Sequence, residues 1–311
     1  MHTNETVAVI DIGSNSIKLL VARPGSAPGS IKTVFKETIE NRISKGISQQ
    51  APSLTSQAMK AGCETIAELA ETAQSYQPRT VEVVATSAVR DANNSQEFIE
   101  SVEQATGLKI RILSGIEEAT FICKGLIYDP LLSDIKNFIQ IDIGGGSLEL
   151  IRFAEGKIDK MCSLQLGAVR MTEKFLTDQT TALSAETETN IRDHVEQTLK
   201  VSGFEFKPIS YPFIVTGGAF VIARAMLTDQ SSKDIEETSP ILHKKDLIEL
   251  KSQLASLPLE ERKKLPLLPE ARADIIPAAL VTIVAVLDYA NCDTVNHSFY
   301  NLRYGIAAEL F

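Results

Sequence analysis

Two short stretches carry the residue types that phosphate chemistry calls for. Asp11-Ile12-Gly13-Ser14-Asn15-Ser16 and Asp142-Ile143-Gly144-Gly145-Gly146-Ser147 align at one constant offset, and at that offset Leu19 falls on Leu150. A strand, a glycine-bearing tip and a second strand turn backbone N–H groups outward with no side chain in the way, a nest suited to phosphate oxygens. An acid just before the tip, Asp11 or Asp142, can hold Mg2+ directly or through water, and a hydroxyl after it, Ser16 or Ser147, can add a hydrogen bond. A single Asp-x-Gly hairpin is usually no more than a turn, and the duplication is what raises this pair above that reading. Gly144–Ser147 also has the composition of a flexible linker, but apolar residues flank it closely, whereas a linker sits in polar sequence.

The surrounding pattern is that of layered α/β units. Val7–Ala22 and Phe138–Phe153 read as hairpins, each opening a lobe, with β-branched residues on both sides of the tip. Between them the spacing predicts a helix over 55–77, a strand over Thr80–Ala85, a helix capped by Asn93-Asn94-Ser95, a strand over Leu108–Leu113 and a helix from about Ile116. The second half repeats the theme, with a strand over 157–166, helices from Val169 and over Ala185–Val201, and a strand over Phe213–Thr216 leading to Gly217-Gly218. Residues 229–269 read as a charged, peripheral helical segment with proline breaks. The expected division is a first lobe over 1–125 and a second over 126–311, with a C-terminal helix over about 300–311 returning to the first.

With 311 residues, 44% of them hydrophobic, the chain has material for two cores. A net charge of −9 opposes non-specific wrapping of nucleic acid, so no nucleic-acid partner is expected, while a local basic cleft still suits a polyanion. Cys63, Cys123, Cys162 and Cys292 form no metal-binding pair and read as buried thiols of a reducing, cytoplasmic compartment. The apolar run Ile275–Leu287 contains Pro277, is too short for a bilayer and suits a buried helix, so no membrane partner is expected. No P-loop, no G-x-G-x-x-G opening a helix and no G-x-S-x-G elbow is present. Of the four histidines, His2, His194, His243 and His297, the one at 194 lies on a polar helix and reads as solvent-facing.

Read together, the motifs V-A-V-I-D-I-G-S-N-S (7–16), A-T-S-A-V-R-D-A (85–92), S-G-I-E-E-A (114–119) and I-D-I-G-G-G-S-L-E-L (141–150) closely resemble the exopolyphosphatase / guanosine pentaphosphate phosphohydrolase (Ppx/GppA) family. L-G-A-V-R (166–170), T-G-G (216–218), R-A-D-I-I (272–276) and L-R-Y-G (302–305) continue it in family order. The resemblance implies a two-lobed actin-like (ribonuclease H-like, ASKHA) fold with the active site in the interdomain cleft. It also implies release of orthophosphate from the end of inorganic polyphosphate, or removal of the terminal phosphate of guanosine pentaphosphate, with Mg2+ or Mn2+ as cofactor. The chain looks like the short, two-domain form, and a homodimer stays open as its assembly.

Residue roles follow from the match. Glu118 stands where the family has its general base, and Arg90 where it has a phosphate-binding arginine. Asp142 and Glu149 match acids near the metal, with Asp11 as a partner through water. The backbone at Ser14, Asn15, Gly144, Gly145, Gly146 and Ser147 would hold phosphates, with Arg170 as a further phosphate candidate. Paired acids at a helix start, such as Glu117-Glu118, also serve a helix dipole, and an arginine such as Arg90 can simply be a surface ion pair. Departures from the pattern are Thr120, Leu148, Ala219 and Tyr304. Two rivals stay in view: a nucleotide-dependent kinase or ATPase with an adenosine pocket at Thr216–Ala219, and a non-catalytic polyphosphate or alarmone sensor.

Overall fold

The computed structural model describes residues 5–26, 29–132, 134–207, 210–228 and 234–311. The chain forms two compact units, Met1–Ile135 with Tyr300–Phe311, and Lys136–Phe299.

The first unit is built outward from β1 (Val7–Ile12), a strand buried at every position, as a strand covered on both faces must be. β2 (Ser16–Pro24) returns antiparallel to it, β3 (Ile31–Glu40) follows at the edge, and α1 (Ser56–Ser75) crosses to β4 (Thr80–Ala85), which runs parallel to β1. Then come α2 (Ser87–Arg90), α3 (Ser95–Thr106), β5 (Ile110–Ile112) and α4 (Gly115–Ile127), giving the sheet order β3-β2-β1-β4-β5. The two-residue period of β1 sorts its side chains. Ala8, Ile10 and Ile12 join Ile66 and Leu69 of α1 and Phe98 and Val102 of α3, while Val7 and Val9 join Phe121 and Ile122 of α4 on the opposite face. Each such buried aliphatic or aromatic side chain contributes roughly 1.5–3 kcal/mol. Asp11 shares the parity of Val7 and Val9, which turns it to the α4 side. The expected asparagine cap of α3 takes another form: Asn94 spends its amide on Leu54, accepting from N at 2.8 Å and donating to O at 2.9 Å, and so ties the loop before α1 to α3.

The second unit repeats the plan. β6 (Phe138–Ile143), β7 (Leu148–Ala154) and β8 (Lys157–Leu164) form an antiparallel meander, followed by α5 (Ala168–Phe175), α6 (Ala185–Ser202), β9 (Phe213–Thr216), α7 (Gly218–Leu227), β10 (Ile241–His243), α8 (Lys244–Ser256), α9 (Leu259–Arg262), α10 (Ile276–Tyr289) and β11 (Thr294–His297). The sheet order is β10-β11-β9-β6-β7-β8. Counted from its own first strand, the first unit has the order 3-2-1-4-5 and the second 3-2-1-4-6-5, so both carry three antiparallel strands followed by parallel ones, as in the actin-like (ribonuclease H-like) arrangement, with β10 added as an antiparallel edge strand in the second. The apolar run 275–287 becomes α10, buried almost throughout, with Pro277 in its first turn where no N–H is needed.

Three details differ from expectation. The units divide at Ile135/Lys136 and not at 125/126, because α4 runs on to Ile127. The last helix, α11 (Leu302–Leu310), belongs to the first unit, where it lies so close to α4 that a Cβ on Gly305 would come 1.8 Å from the Phe121 carbonyl oxygen. Of the segment 229–269, residues 229–233 lie outside the described residues, and the remainder includes a strand, β10, paired with β11. Among the described residues, no helix is long and apolar enough to cross a membrane. All four cysteines are free, Cys123 and Cys292 buried but Cys63 and Cys162 only half-buried. His194 is half-buried too, beside Lys174 and tilted against Phe175; His2 lies outside the described residues.

The core of the second unit contains a histidine with a pH consequence. Arg224, almost fully buried, donates Nη1 to His297 Nδ1 at 3.2 Å and Nε to Thr238 Oγ1 at 3.1 Å. An accepting Nδ1 puts the imidazole proton on Nε2, which has no partner among the described residues. Burial, aided by Arg224, holds the His297 pKa down to about 3, against an ordinary 6.5. The unfolded chain therefore binds a proton that the folded one refuses. The contribution is fully present above pH 6.5 and is lost as pH falls towards 3, with a slope up to about 1.4 kcal/mol per pH unit. Denaturant unfolding between pH 7 and 5 should show a shallower loss of stability in His297→Gln than in the wild type. Equal slopes would show that His297 is not the group responsible.

Candidate active site

At the first tip, the backbone is held from behind. Ser14 O accepts from Ser44 N at 3.3 Å, and Asn15 O from Asn41 N and Arg42 N at 3.0 and 2.9 Å. The Asn15 side chain is spent as well, donating to Glu40 Oε2 and accepting from Arg42 Nε at 3.1 Å. Ser14 Oγ meets Ser87 Oγ at 3.1 Å, joining the tip to the A-T-S-A-V-R segment. What remains for a ligand is the main chain: among the described residues, the amides of Ser14 and Asn15 have no acceptor. That is the state of a nest made to receive anionic oxygens.

Arg90 and Glu118 come together in the same unit. Arg90 Nη1 donates to Glu118 Oε2 at 2.9 Å and to Leu113 O at 2.9 Å, and Nε lies 3.6 Å from Asp91 Oδ1. Nη2 has no acceptor among the described residues, so one side of the fork is open to a phosphoryl oxygen. The Glu117-Glu118 pair splits by role. Glu117 and Ser114 make a reciprocal capping box at the start of α4, and the hydrogen bond from Arg111, with those of Ser114, pulls the Glu117 carboxyl down to about 2. Glu118 lies inward, buried at the Arg90 contact.

The second tip is braced by α5. Ala168 N donates to Gly144 O at 2.9 Å, Val169 N to Gly145 O at 2.8 Å, and Arg170 Nε to Gly146 O at 2.8 Å. Arg170 thus fastens the glycine turn, with its side chain buried beneath it. With the three carbonyls drawn towards α5, the amides of Gly145, Gly146 and Ser147 have no acceptor among the described residues. Gly167 is required for this contact, since a Cβ there would lie 2.4 Å from Gly146 C and Ser147 N.

Asp142 and Glu149 are register partners across β6 and β7, which puts both carboxylates on one face of the sheet, and Ser163 Oγ on β8 donates to Glu149 at 2.7 Å. Hard oxygen donors side by side fit Mg2+ or Mn2+, which take carboxylates together with water or phosphate. Among the described residues, no group of three His, Cys, Asp or Glu side chains converges as a ready metal cage.

Asp11 is buried near the tip end of β1 with Oδ1 unpartnered; burial pushes its carboxyl above the ordinary range, while Lys18 and Arg303 pull it back in part.

Several neighbours of the site went unassigned in the motif reading. Arg42 and Glu40 clasp Asn15, and no spacing rule points to them. Arg303 lies within L-R-Y-G and Arg272 within R-A-D-I-I, so both motifs contain a cation that the pattern alone assigns to nothing. The Arg272 guanidinium lies over Gly218, where a Cβ would meet Nη1 at 2.0 Å. Gly217, at φ 106, has Asp142 as a neighbour: a Cβ there would lie 2.9 Å from Oδ1. T-G-G is thus a backbone approach to the acid of the second hairpin.

Comparison with known proteins identifies relatives of the chain and of its fold. Guanosine-5'-triphosphate,3'-diphosphate pyrophosphatases of Vibrio parahaemolyticus and Vibrio vulnificus are 28% and 29% identical over 303 residues, 97% of this chain. The chain spans 59% of the length of these curated relatives. A crystal structure of an exopolyphosphatase from Cytophaga hutchinsonii has the same fold, with a TM-score of 0.86 at 22% identity over 98% of this chain and 97% of that one. A Ppx/GppA family member from Aquifex aeolicus matches with a TM-score of 0.79 at 22% identity, again over 98% and 97%. The model of the Ppx/GppA phosphatase family matches residues 20–311, nearly the whole chain. With motifs, paired hairpins and fold in agreement, the chain belongs to the Ppx/GppA phosphatase family.

Proposed function

We propose that the protein hydrolyses the terminal phosphoanhydride bond of inorganic polyphosphate or guanosine pentaphosphate and releases orthophosphate. The observation that carries the reading is the part-buried Arg90–Glu118 contact at 2.9 Å, in a unit whose hairpin tip presents amides without acceptors. Arg90 would grip the terminal phosphoryl through its open Nη2 edge, and Glu118 would orient the attacking water and accept its proton. Each hairpin tip, with the amides of Ser14 and Asn15 in the first unit and those of Gly145, Gly146 and Ser147 in the second, would receive non-bridging phosphoryl oxygens. Mg2+ or Mn2+ bound at Asp142 and Glu149 would supply neutralisation of phosphoryl charge. Arg170 supports this by keeping the second tip in shape.

Orthophosphate release measured on long polyphosphate, short polyphosphate, guanosine pentaphosphate and ATP, with and without Mg2+, tests the reading. Metal-dependent release from one of the first three, exceeding that from ATP, is the expected result. Release from ATP alone would favour the ATPase reading. Tight binding without release would favour the sensor.

A further inference from the structure

Two buried hydroxyls meet at the first tip and leave one hydrogen-bond donor unspent. Ser14 Oγ and Ser87 Oγ are 3.1 Å apart, both residues are 3% exposed, and neither hydroxyl has a further partner among the described residues. A hydroxyl carries one proton and can accept others on its lone pairs. One hydrogen bond between two hydroxyls uses one of their protons, and the other is left without an acceptor. Buried polar groups are as a rule paired, so a spare O–H at this position calls for a ligand that accepts it.

The segment that carries Ser87 is fastened to the base of the tip. Thr86 donates N and Oγ1 to Ile12 O at 3.2 and 3.4 Å, one residue before Gly13, and its own carbonyl accepts from Arg90 N at 2.9 Å. Ser87 and Arg90 open and close the single turn of α2, where residues at this spacing share a face with Cβ atoms about 5–6 Å apart. The Ser14–Ser87 contact thus joins a helix turn whose Arg90 has a free Nη2 to a tip whose Ser14 and Asn15 amides have no acceptor among the described residues. The hydroxyls can be ordered in either sense. With Ser14 as donor the spare proton lies on α2, and with Ser87 as donor it lies on the tip, on the same residue as an open amide. An anion at those amides favours the second order, because it gives the Ser14 O–H the acceptor it lacks. A hydroxyl that already accepts a hydrogen bond also becomes the stronger donor.

We propose that Ser87 is a positioning residue for the anion at the first tip: it donates to Ser14 Oγ and so aims the Ser14 hydroxyl proton, beside the Ser14 and Asn15 amides, at a phosphoryl oxygen. Ser87 acts through Ser14 and does not itself touch the anion. The inference deepens the proposed function, and it rests on that reading only in taking the anion to be a phosphoryl group.

Titration of the full chain with inorganic phosphate, read from the amide NMR shifts of Ser14 and Asn15, tests the relay without any turnover. Ser14→Ala and Ser87→Ala each remove one hydroxyl and keep every backbone group. Each should raise the phosphate dissociation constant by about three- to tenfold, the worth of one hydrogen bond. The double variant should stay within about twofold of Ser14→Ala, since Ser87 has nothing left to act through. Losses that multiply would overturn the proposal, because Ser87 would then contact the anion by itself or serve only the framework. Unchanged affinity in Ser87→Ala, or no phosphate response at the wild-type tip, would overturn it as well. A framework role would also show in Tm, as a fall in Ser87→Ala that comes with the same loss of affinity whether or not the Ser14 hydroxyl is present. Failure of the proposed function would appear separately, as absence of phosphate release from polyphosphate and guanosine pentaphosphate while the affinities keep this non-additive pattern.

Discussion

Glu118→Gln is expected to lose about 10²–10⁴ in kcat, the usual contribution of a positioned general base, with KM changed little. The geometry explains why binding should survive. Glutamine keeps an acceptor oxygen for Arg90 Nη1, now 2.9 Å from Glu118 Oε2, so the guanidinium stays where its free edge can meet a phosphoryl group. What disappears is a carboxylate able to take a proton. Its neighbour cannot substitute, because Glu117 is spent on Ser114 and Arg111 with its carboxyl pulled to about 2, far too weak a base at neutral pH. The Arg90 contact also restrains Glu118 in the resting protein. A phosphoryl group competing for the guanidinium would loosen that restraint when substrate is bound. Steady-state phosphate release separates the outcomes: unchanged turnover removes Glu118 from the chemistry, and a loss confined to KM makes it a binding group.

Much of this arrangement is legible in the sequence, and the reason lies in the kind of residue that carries it. β1, β6 and β9 announce themselves because they are buried on both faces and so nearly all apolar. The glycines of L-G-A-V-R and T-G-G are visible because they pack on the second hairpin without a side chain: a Cβ on Gly167 would lie 2.4 Å from Gly146 C, and one on Gly217 2.3 Å from the Ile143 carbonyl oxygen. β3 hides, since an edge strand alternating buried and exposed residues, IKTVFKETIE, carries as much lysine and glutamate as a helix would. β10 and β11, of three and four residues, owe their existence to each other and to β9 and lack a local signal. Arg303 was out of reach for a different reason: it meets Leu19 across 284 residues of chain, and no periodicity reports a contact of that range.

Gly167→Ala should do nearly as much damage as loss of Glu118, and by shape alone. Its added methyl would come within 2.4 Å of Gly146 C and Ser147 N and 2.5 Å of Gly145 C, all backbone atoms that cannot swing aside. Either α5 retreats and gives up the bonds from Ala168, Val169 and Arg170 to the turn carbonyls, or the turn is pushed out and its amides no longer converge. Overpacking of this kind costs about 1–3 kcal/mol, and a displacement of about 1 Å in a catalytic assembly can cost about 10² in rate. The measurement needs a glycine whose replacement is costly for another reason. Gly156 supplies it, with φ 79 and nothing within 4 Å of its absent Cβ, so Gly156→Ala strains the β7–β8 turn without touching the site. Both variants should lower Tm, but only Gly167→Ala should also lower kcat/KM, by about 10². Loss of activity in Gly156→Ala as large as in Gly167→Ala would mean that stability, and not the shape of the second tip, governs turnover.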